Sequence, residues 1–513
     1  MVSKEPPGLP GGCCQKRGET LENKSITKNA KRFLTVWNIS LFLSVWFGYY
    51  NEYAFDTFYI LGGVLSVIIF TIIYLSLCNL YKAYRIASSE IGETIFSQVL
   101  SFGIADFILY AECCLIHNRY VNILPGIMTV VMQIIGTSFL VTFTKQYMIR
   151  HIPPKNTVIV YGKHITKEDV AKFKERLLKK YHHLFYITEL WQEEDDKETF
   201  SKKQDSYDVV VLYEMDEKLR ARYMAHCIEH KKAFYVSPTV GDIMFRGCVA
   251  KHLLDTPLMK YEYIYENKTG FWKKRILDIV VASLVLIITS PILLLIALCI
   301  KLEDGGPVFF KQKRCTKDKR VFEILKFRSM IVDAEKEGCI PCTKNDSRIT
   351  KMGNLIRKTR LDEMPQFINI LKGDMSIVGP RPERVEHVEQ YTKEVPEFAY
   401  RMKVLGGLTG YAQIYGKYNT SPYDKLRLDL LYIENQSLVL DVKLILLTLK
   451  IMFIPESTEG FEGEKSTKIN NSKMKSNSLN FALTSEKCFG DISNSPKLPI
   501  KEKKTEELWN RRI

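Results

Sequence analysis

The sequence predicts a membrane protein of the α plus α/β class, and three observations predict it. Four apolar stretches of near-spanning length lie within residues 31–150. Short β-branched runs alternate with charged helical stretches over 151–265. A fifth apolar stretch, at 276–300, then precedes a polar segment that carries two adjacent carboxylates.

The four stretches run at about Phe33–Tyr50, Thr57–Leu80, Thr94–Ile116 and Val121–Phe143, each near the roughly 20 residues that a helix needs to cross a bilayer. Four crossings return the chain to its starting side. Lys24, Lys28, Lys31 and Arg32 precede the first stretch, Lys82 and Arg85 separate the second from the third, and Lys145, Arg150 and Lys155 follow the fourth. The other two loops carry only Glu52, Asp56 and Arg119. Excess Lys and Arg mark the cytoplasmic side, so the segment 1–30 and the far end of this four-span bundle are expected there. Asp106 and Glu112 interrupt the third stretch; ionisable groups in lipid are costly and normally face a protein interior, where they line a contact or bond across helices.

Within 151–265, Thr157–Tyr161, Tyr207–Tyr213 and Ala233–Val236 read as strands and Lys167–Lys180 as a helix, an alternation that gives a small α/β domain with a mostly parallel sheet. After the first strand comes Gly162-Lys163-His164, without the G-x-G-x-x-G that lets backbone approach a pyrophosphate. A degenerate Rossmann-like domain with a regulatory or dimerising role is therefore expected. Ile276–Ile300 is apolar apart from Asp278 and long enough to span. Crossing would deliver Lys301, Lys311, Lys313, Arg314, Lys317, Lys319 and Arg320 to the outer face, against the upstream orientation. Ser290-Pro291 lies in its middle, where proline removes a helix hydrogen bond and a serine hydroxyl offers partial replacement. A break there keeps both ends cytoplasmic; a kinked span is the alternative. The stretch 456–513, rich in Ser, Lys, Asn and Glu, reads as disordered.

At 513 residues the chain has room for three or four modules. Its net charge of +15 is distributed around apolar segments and not along one basic tract, which points to anionic lipid and away from nucleic acid. The 12 cysteines form no spaced framework and read as reduced thiols. Cys339-Ile340-Pro341-Cys342 has no second pair at zinc-site spacing.

The chemistry concentrates in Thr359–Pro382. Asp362 and Glu363 stand ahead of Pro365, and Met364, Phe367, Ile368 and Leu371 recur at helical spacing. Proline is tolerated in a first turn, so the acidic pair is expected at the N-terminus of a helix, where free N–H groups favour negative charge or hold a phosphate. Gly373-Asp374 ends that helix, and Gly379-Pro380-Arg381-Pro382 makes a stiff loop around one guanidinium, a fork for phosphate or carboxylate. At an arbitrary helix start, capping and surface pairing would account for the same residues. The wider pattern argues for more.

Lys274–Arg314, Phe322–Met330 (FEILKFRSM), Ile356–Glu383, Gly407–Lys417 (GLTGYAQIYGK) and the helix around Leu428-Asp429 follow one another without a large gap over roughly 271–455. In this order they resemble the polyprenyl-phosphate phosphoglycosyl transferases of the bacterial sugar transferase type, and the upstream half looks like the larger members, which initiate exopolysaccharide or O-antigen assembly. The resemblance implies a four-helix transmembrane bundle (31–150), a degenerate Rossmann-like domain (151–265) and a mostly helical monotopic catalytic domain (271–455). It also implies that the helix at 276–300 is re-entrant, with its break at Ser290 and Pro291. A UDP-sugar and polyprenyl phosphate would meet on the cytoplasmic face of a bacterial inner membrane, with UMP released. Mg²⁺ would be held by Asp362 and Glu363. A homo-oligomer through the membrane bundle or the middle domain stays open.

The residues suit that reaction. Phosphoryl transfer depends on positioning and charge neutralisation, for which Lys326, Arg357 and Arg381 are the candidate cations. A carboxylate nucleophile divides one transfer into two steps; Asp362 is the candidate, with Glu363 assisting or holding metal. Gln413 and Tyr411 are expected at the nucleotide or sugar on the resemblance alone, and for Asp374 a structural role is expected ahead of a metal or ribose contact. Gly406-Gly407 stands where family members commonly carry Pro-Gly, a difference expected to loosen that loop. The competing readings are a catalytically inactive membrane scaffold and a polytopic metal-dependent transferase that forms no covalent intermediate.

Overall fold

The computed structural model describes residues 15–54, 60–193, 206–253, 256–261, 268–332, 334, 346–416 and 420–452. The Cys339–Cys342 pair and the stretch 456–513 lie outside the described residues.

Helix α1 (Gln15–Val45) continues through one wider turn at Trp46–Tyr50 to Ala54. It is followed by α2 (Ile60–Leu80), α3 (Ile91–His117) and α4 (Leu124–His151), all long and apolar enough to cross a membrane. Their shared interior is aromatic: Phe42, Trp46, Phe70, Tyr74 and Phe102 are buried together, with the Phe42 and Phe70 rings stacked at 3.8 Å. Polar side chains fix how the helices pair. Asn38 Nδ2 donates to Tyr74 Oη at 3.1 Å and Tyr74 Oη to Gln98 Oε1 at 2.9 Å, bonds that gain value where no water competes. Lys145 Nζ ties the end of α4 to the turn after α2, donating to the carbonyls of Ile86, Ala87 and Ser89 at 3.0, 2.8 and 3.1 Å.

The middle region is a parallel sheet flanked by helices: β1 (Lys155–Tyr161), α5 (Lys167–Tyr181), β2 (Phe185–Gln192), β3 (Val209–Tyr213), α6 (Glu217–Glu229) and β4 (Ala233–Val236). The strand order is β2-β1-β3-β4. Sheets of this kind bind ligands between the carboxyl ends of the strands where the order reverses, here β1 and β3. That crevice is occupied from within. The buried carboxylate of Glu193 accepts the backbone N–H groups of Lys163 and Asp216 at 3.0 and 3.1 Å, and a Cβ on Gly162 would lie 2.0 Å from the carbonyl oxygen of Glu214. Helix α7 (Val240–Phe245), opened by a Thr239/Asp242 capping box, and the hairpin of β5 (Cys248–Leu253) and β6 (Thr256–Tyr261) lead onward.

Helix α8 (Lys268–Asp304) is assigned as one element of 37 residues with Pro291 inside. Pro291 has no N–H to offer the Ile287 carbonyl four residues back, and Ser290 Oγ donates to that same carbonyl at 2.8 Å. The N-terminal half grips the last domain: Arg275 donates to the carbonyls of Ile370 and Leu371 at 2.6 and 2.7 Å, and Asp278 accepts from Ser376 Oγ and Ile377 N at 3.1 and 3.0 Å. The C-terminal half grips it as well, with Ile296 and Ile300 against Phe327 and Ile356. Between them Leu284, Ile287, Ile288, Ile292 and Leu295 are exposed.

The remaining elements are the antiparallel pair β7 (Phe309–Cys315) and β8 (Val321–Phe327), α9 (Lys351–Lys358), α10 (Gln366–Lys372), β9 (Ser376–Val378), α11 (Val385–Glu394), β10 (Gly407–Thr409), α12 (Tyr411–Tyr415), α13 (Pro422–Glu434) and α14 (Leu438–Met452). Strands β9 and β10 pair in parallel. One core runs from Leu77 and Tyr81 at the end of α2 through Ala282, Phe322, Ile370, Ile377 and Leu430 to Leu444. It joins this domain to the membrane helices.

Candidate active site

Three elements converge on the acidic pair. Thr350 caps α9 by accepting the Gly353 N–H at 2.9 Å, and α9 carries Arg357 in its last turn. Arg360 adopts the left-handed region at φ 56°, and the chain doubles into a single tight turn, Leu361–Glu363, before Pro365 at the N-cap of α10. Asp362 and Glu363 thus sit one turn ahead of the helix and not in its first turn. Gly373, at φ 86°, ends α10 where the sequence indicates. From α10, Asn369 accepts the Leu325 N–H at 2.9 Å and donates to the Glu323 carbonyl at 2.8 Å. This pins α10 to β8 and brings Lys326 to the pair.

The third element is the loop that carries Arg381. Gly379 N donates to the Thr409 carbonyl and Gly407 N to the Pro380 carbonyl, both at 2.8 Å. A Cβ on Gly379 would lie 2.5 Å from the Leu405 carbonyl oxygen, so only glycine permits this approach. Gly406 N donates to the buried Thr316 Oγ1 at 3.0 Å, a bond that a proline at this position cannot make. The Gly-Gly pair is therefore strapped down, and the loosening expected from the missing proline is offset by that bond.

The two carboxylates end in different states. Glu363 Oε1 accepts from Lys326 Nζ at 2.8 Å and from Arg381 Nη2 at 2.5 Å. Burial alone would raise its pKa, yet Arg381 and Lys326 hold the carboxyl well below the usual range. For Asp362 burial wins. Desolvation and the negative charge of Glu363 push its carboxyl up, against Lys326, Arg357 and Arg381. Among the described residues no hydrogen bond reaches the Asp362 carboxylate. Adjacent acids whose environments drive their proton affinities apart are equipped for different tasks.

Hard oxygen donors suit a divalent cation such as Mg²⁺. Asp362, with no hydrogen bond to give up among the described residues, would be the stronger ligand for such an ion, whereas Glu363 has much of its charge answered by two cations. The structure brings Lys326 and Arg381 onto Glu363 and sets Arg357 within electrostatic reach of Asp362. Gln413 makes no described contact with the acidic pair: its Nε2 donates to the Gly379 carbonyl at 3.4 Å, at the base of the Arg381 loop. Tyr411 meets the Tyr415 ring. Asp374 pairs with Arg320 at 3.4 Å beside the end of α10. Ser290 and Pro291 belong to α8 and share no described contact with the acidic pair.

A second layer escaped the sequence. Arg401 and Asp429 are 3% and 1% exposed and pair at 2.7 Å. Arg401 Nη2 also donates to the Arg381 carbonyl at 3.0 Å, and its Nη1 lies 3.5 Å from Glu383. Burial lifts the Asp429 carboxyl to about 6 despite Arg401. Their only sequence signal was Asp429 within a matched segment.

Residues 269–455 match a family model described as Bacterial sugar transferase. Over 210 residues the chain is 44% identical to the UDP-glucose:undecaprenyl-phosphate glucose-1-phosphate transferase of Klebsiella pneumoniae, covering 40% of this chain and 43% of that protein. It is 36% identical over 259 residues to the UDP-N-acetylgalactosamine-undecaprenyl-phosphate N-acetylgalactosaminephosphotransferase of Aeromonas hydrophila, covering 48% and 58%. Over 181 residues it is 40% identical to the UDP-glucose:undecaprenyl-phosphate glucose-1-phosphate transferase of Caulobacter vibrioides, covering 34% and 68%. The match spans about half the length of the first two relatives.

Proposed function

The chain belongs to the bacterial sugar transferase family, and from that membership we propose that it transfers a sugar 1-phosphate from a UDP-sugar to undecaprenyl phosphate, the membrane step that initiates a surface polysaccharide. One observation carries the mechanism. Glu363 is held as an anion by Lys326 and Arg381, and its neighbour Asp362 lies near the same cations with no hydrogen bond from any described residue occupying its oxygens. In the first step an Asp362 oxygen attacks the phosphorus that bears the sugar; the bond to the bridging oxygen breaks and UMP leaves with its electron pair. In the second step an oxygen of undecaprenyl phosphate attacks the same phosphorus and the Asp362 carboxylate leaves. Lys326, Arg357 and Arg381 neutralise the phosphoryl oxygens, which is most of what such a transfer asks of a protein. Mg²⁺, when bound through Asp362 and Glu363, supplies further neutralisation of the diphosphate.

The architecture in this reading is a transmembrane bundle over 31–150, a Rossmann-like domain over 151–265 and a catalytic domain over 271–455 on the cytoplasmic face of a bacterial inner membrane. That both halves of α8 grip one domain while its middle turns are exposed supports a re-entrant helix at 276–300. A rod crossing the roughly 30 Å hydrocarbon layer would put its ends on opposite faces. Such a helix sets the acidic pair near the headgroups, where a soluble donor and a lipid acceptor can both reach it.

The test is UMP release by the purified protein with undecaprenyl phosphate, Mg²⁺ and a panel of UDP-sugars that includes UDP-glucose and UDP-N-acetylgalactosamine, with Asp362→Ala as blank. Release with one donor establishes the reaction and names the sugar. Folded protein that is silent with every donor favours the inactive scaffold.

A further inference from the structure

Glu214 follows β3 directly, in the left-handed region at φ 47°. It lies at the carboxyl edge of the sheet, where such folds hold ligands. What it holds instead is a side chain of the last domain. Arg427 of α13 donates from Nη1 to Glu214 Oε1 at 2.6 Å and from Nη2 to Oε2 at 2.8 Å. Ser237 Oγ, just beyond β4, donates to the same Oε1 at 2.5 Å, and the Tyr423 ring lies 4.1 Å from the guanidinium. The pair is largely shielded, with Arg427 9% and Glu214 19% exposed.

Two residues further along α13 is Asp429, on a different face of the helix because residues at i and i+2 do not share one. Asp429 pairs with Arg401, Arg401 donates to the Arg381 carbonyl, and Arg381 holds Glu363. Helix α13 is thus clamped on one side by the α/β domain and braces the Arg381 loop from the other. A shielded ion pair adds little net stability over an apolar contact of the same size, but a two-bond guanidinium–carboxylate fork fixes orientation.

We propose that Glu214 is a positioning residue for the transfer. Through Arg427 it sets the placement of α13, and through Asp429 and Arg401 the placement of Arg381. The assignment rests on the transferase reading for its catalytic consequence, and on geometry alone for the mechanical one.

The experiment uses the full chain in nanodiscs and compares wild type, Glu214→Arg, Arg427→Glu and the double swap. It reads kcat for UMP release and backbone hydrogen exchange at Gly379, Arg381 and Glu383. Each single variant is expected to lower kcat and to speed exchange of the loop by about tenfold, and the swap to recover both to within about threefold, in line with the coupling energies of linked side chains. Glu214→Gln, which keeps shape but removes the charge and one acceptor oxygen, serves where a reversal fails to fold and is expected to speed loop exchange in the same direction. Folded variants with wild-type kcat and wild-type loop exchange would overturn the assignment, as would losses that a folded swap does not recover. Were wild type silent with every donor, the transferase reading would fail, and loop exchange alone would decide whether Glu214 positions Arg381.

Discussion

Two neighbouring acids are held in different electrostatic states because two basic side chains reach one of them. Asp362→Asn, close in shape but poor as a nucleophile, is expected to lower UMP release by roughly 10³-fold or more while leaving the thermal transition of the purified protein in place. The pH profile carries a sign. In the proposed reaction Asp362 attacks as the anion, so kcat/KM is expected to rise as its proton leaves, and burial puts that limb above the ordinary value of 3.8. Glu363→Gln removes a negative charge that raises the Asp362 pKa and frees Lys326 and Arg381 to face it. The limb in that variant is expected to shift to lower pH, with a smaller rate at the plateau. The sequence made the pair legible, since DE before a proline and GPRP downstream both carry chemistry on their face. It did not say which acid the cations choose, because Lys326 and Arg381 arrive on a strand and a loop far apart in the chain. Arg401 and Asp429 were illegible for a different reason: charged residues in amphipathic stretches are nearly always solvated, and only packing shows these two buried.

Among elements, the loop at Gly406-Gly407 shows how a missing residue is answered locally. Thr316 is 1% exposed; its hydroxyl accepts from Gly406 N and donates to the Asp374 carbonyl at 3.1 Å. Thr316→Val leaves that N–H unpaired in the interior and is expected to cost about 1–3 kcal/mol, read as a lower midpoint in denaturant titration. The apolar length of α8 and the Ser290 hydroxyl beneath Pro291 follow from sequence because both are local properties of one helix. The double grip of α8 does not, since it depends on which side chains of a later domain come back to meet it. Strand β2 was missed because its outward positions include apolar residues, the exposed Tyr186 and Leu190, while the polar Glu189 shares the more buried side with Ile187. The alternation that signals a half-buried strand is correspondingly weak.

At the scale of the molecule, charged side chains stitch the three regions together at one end of the membrane helices. Glu93 of α3 accepts from Lys450 Nζ of α14 at 3.0 Å and lies 3.9 Å from Lys180 of α5. Orientation follows from the re-entrant reading of α8. A cysteine at position 301, on a background lacking the other reactive thiols, is expected to be modified by an impermeant maleimide in inverted vesicles and protected in intact spheroplasts. The opposite result would make α8 a true crossing. Segment order, membrane helices and the parallel sheet were all legible, because each rests on composition and period. How the regions bear on one another was not, because it turns on single pairs such as Glu214 with Arg427. The self-filled crevice of the α/β domain has its own consequence. A fold of this shape commonly works as a gauge, reporting how much of a metabolite surrounds it. With Glu193 seated in the crevice and Arg427 held at Glu214 beside it, polar groups at this edge are answered by the protein itself; under the positioning role proposed above, the output of such a domain would be alignment.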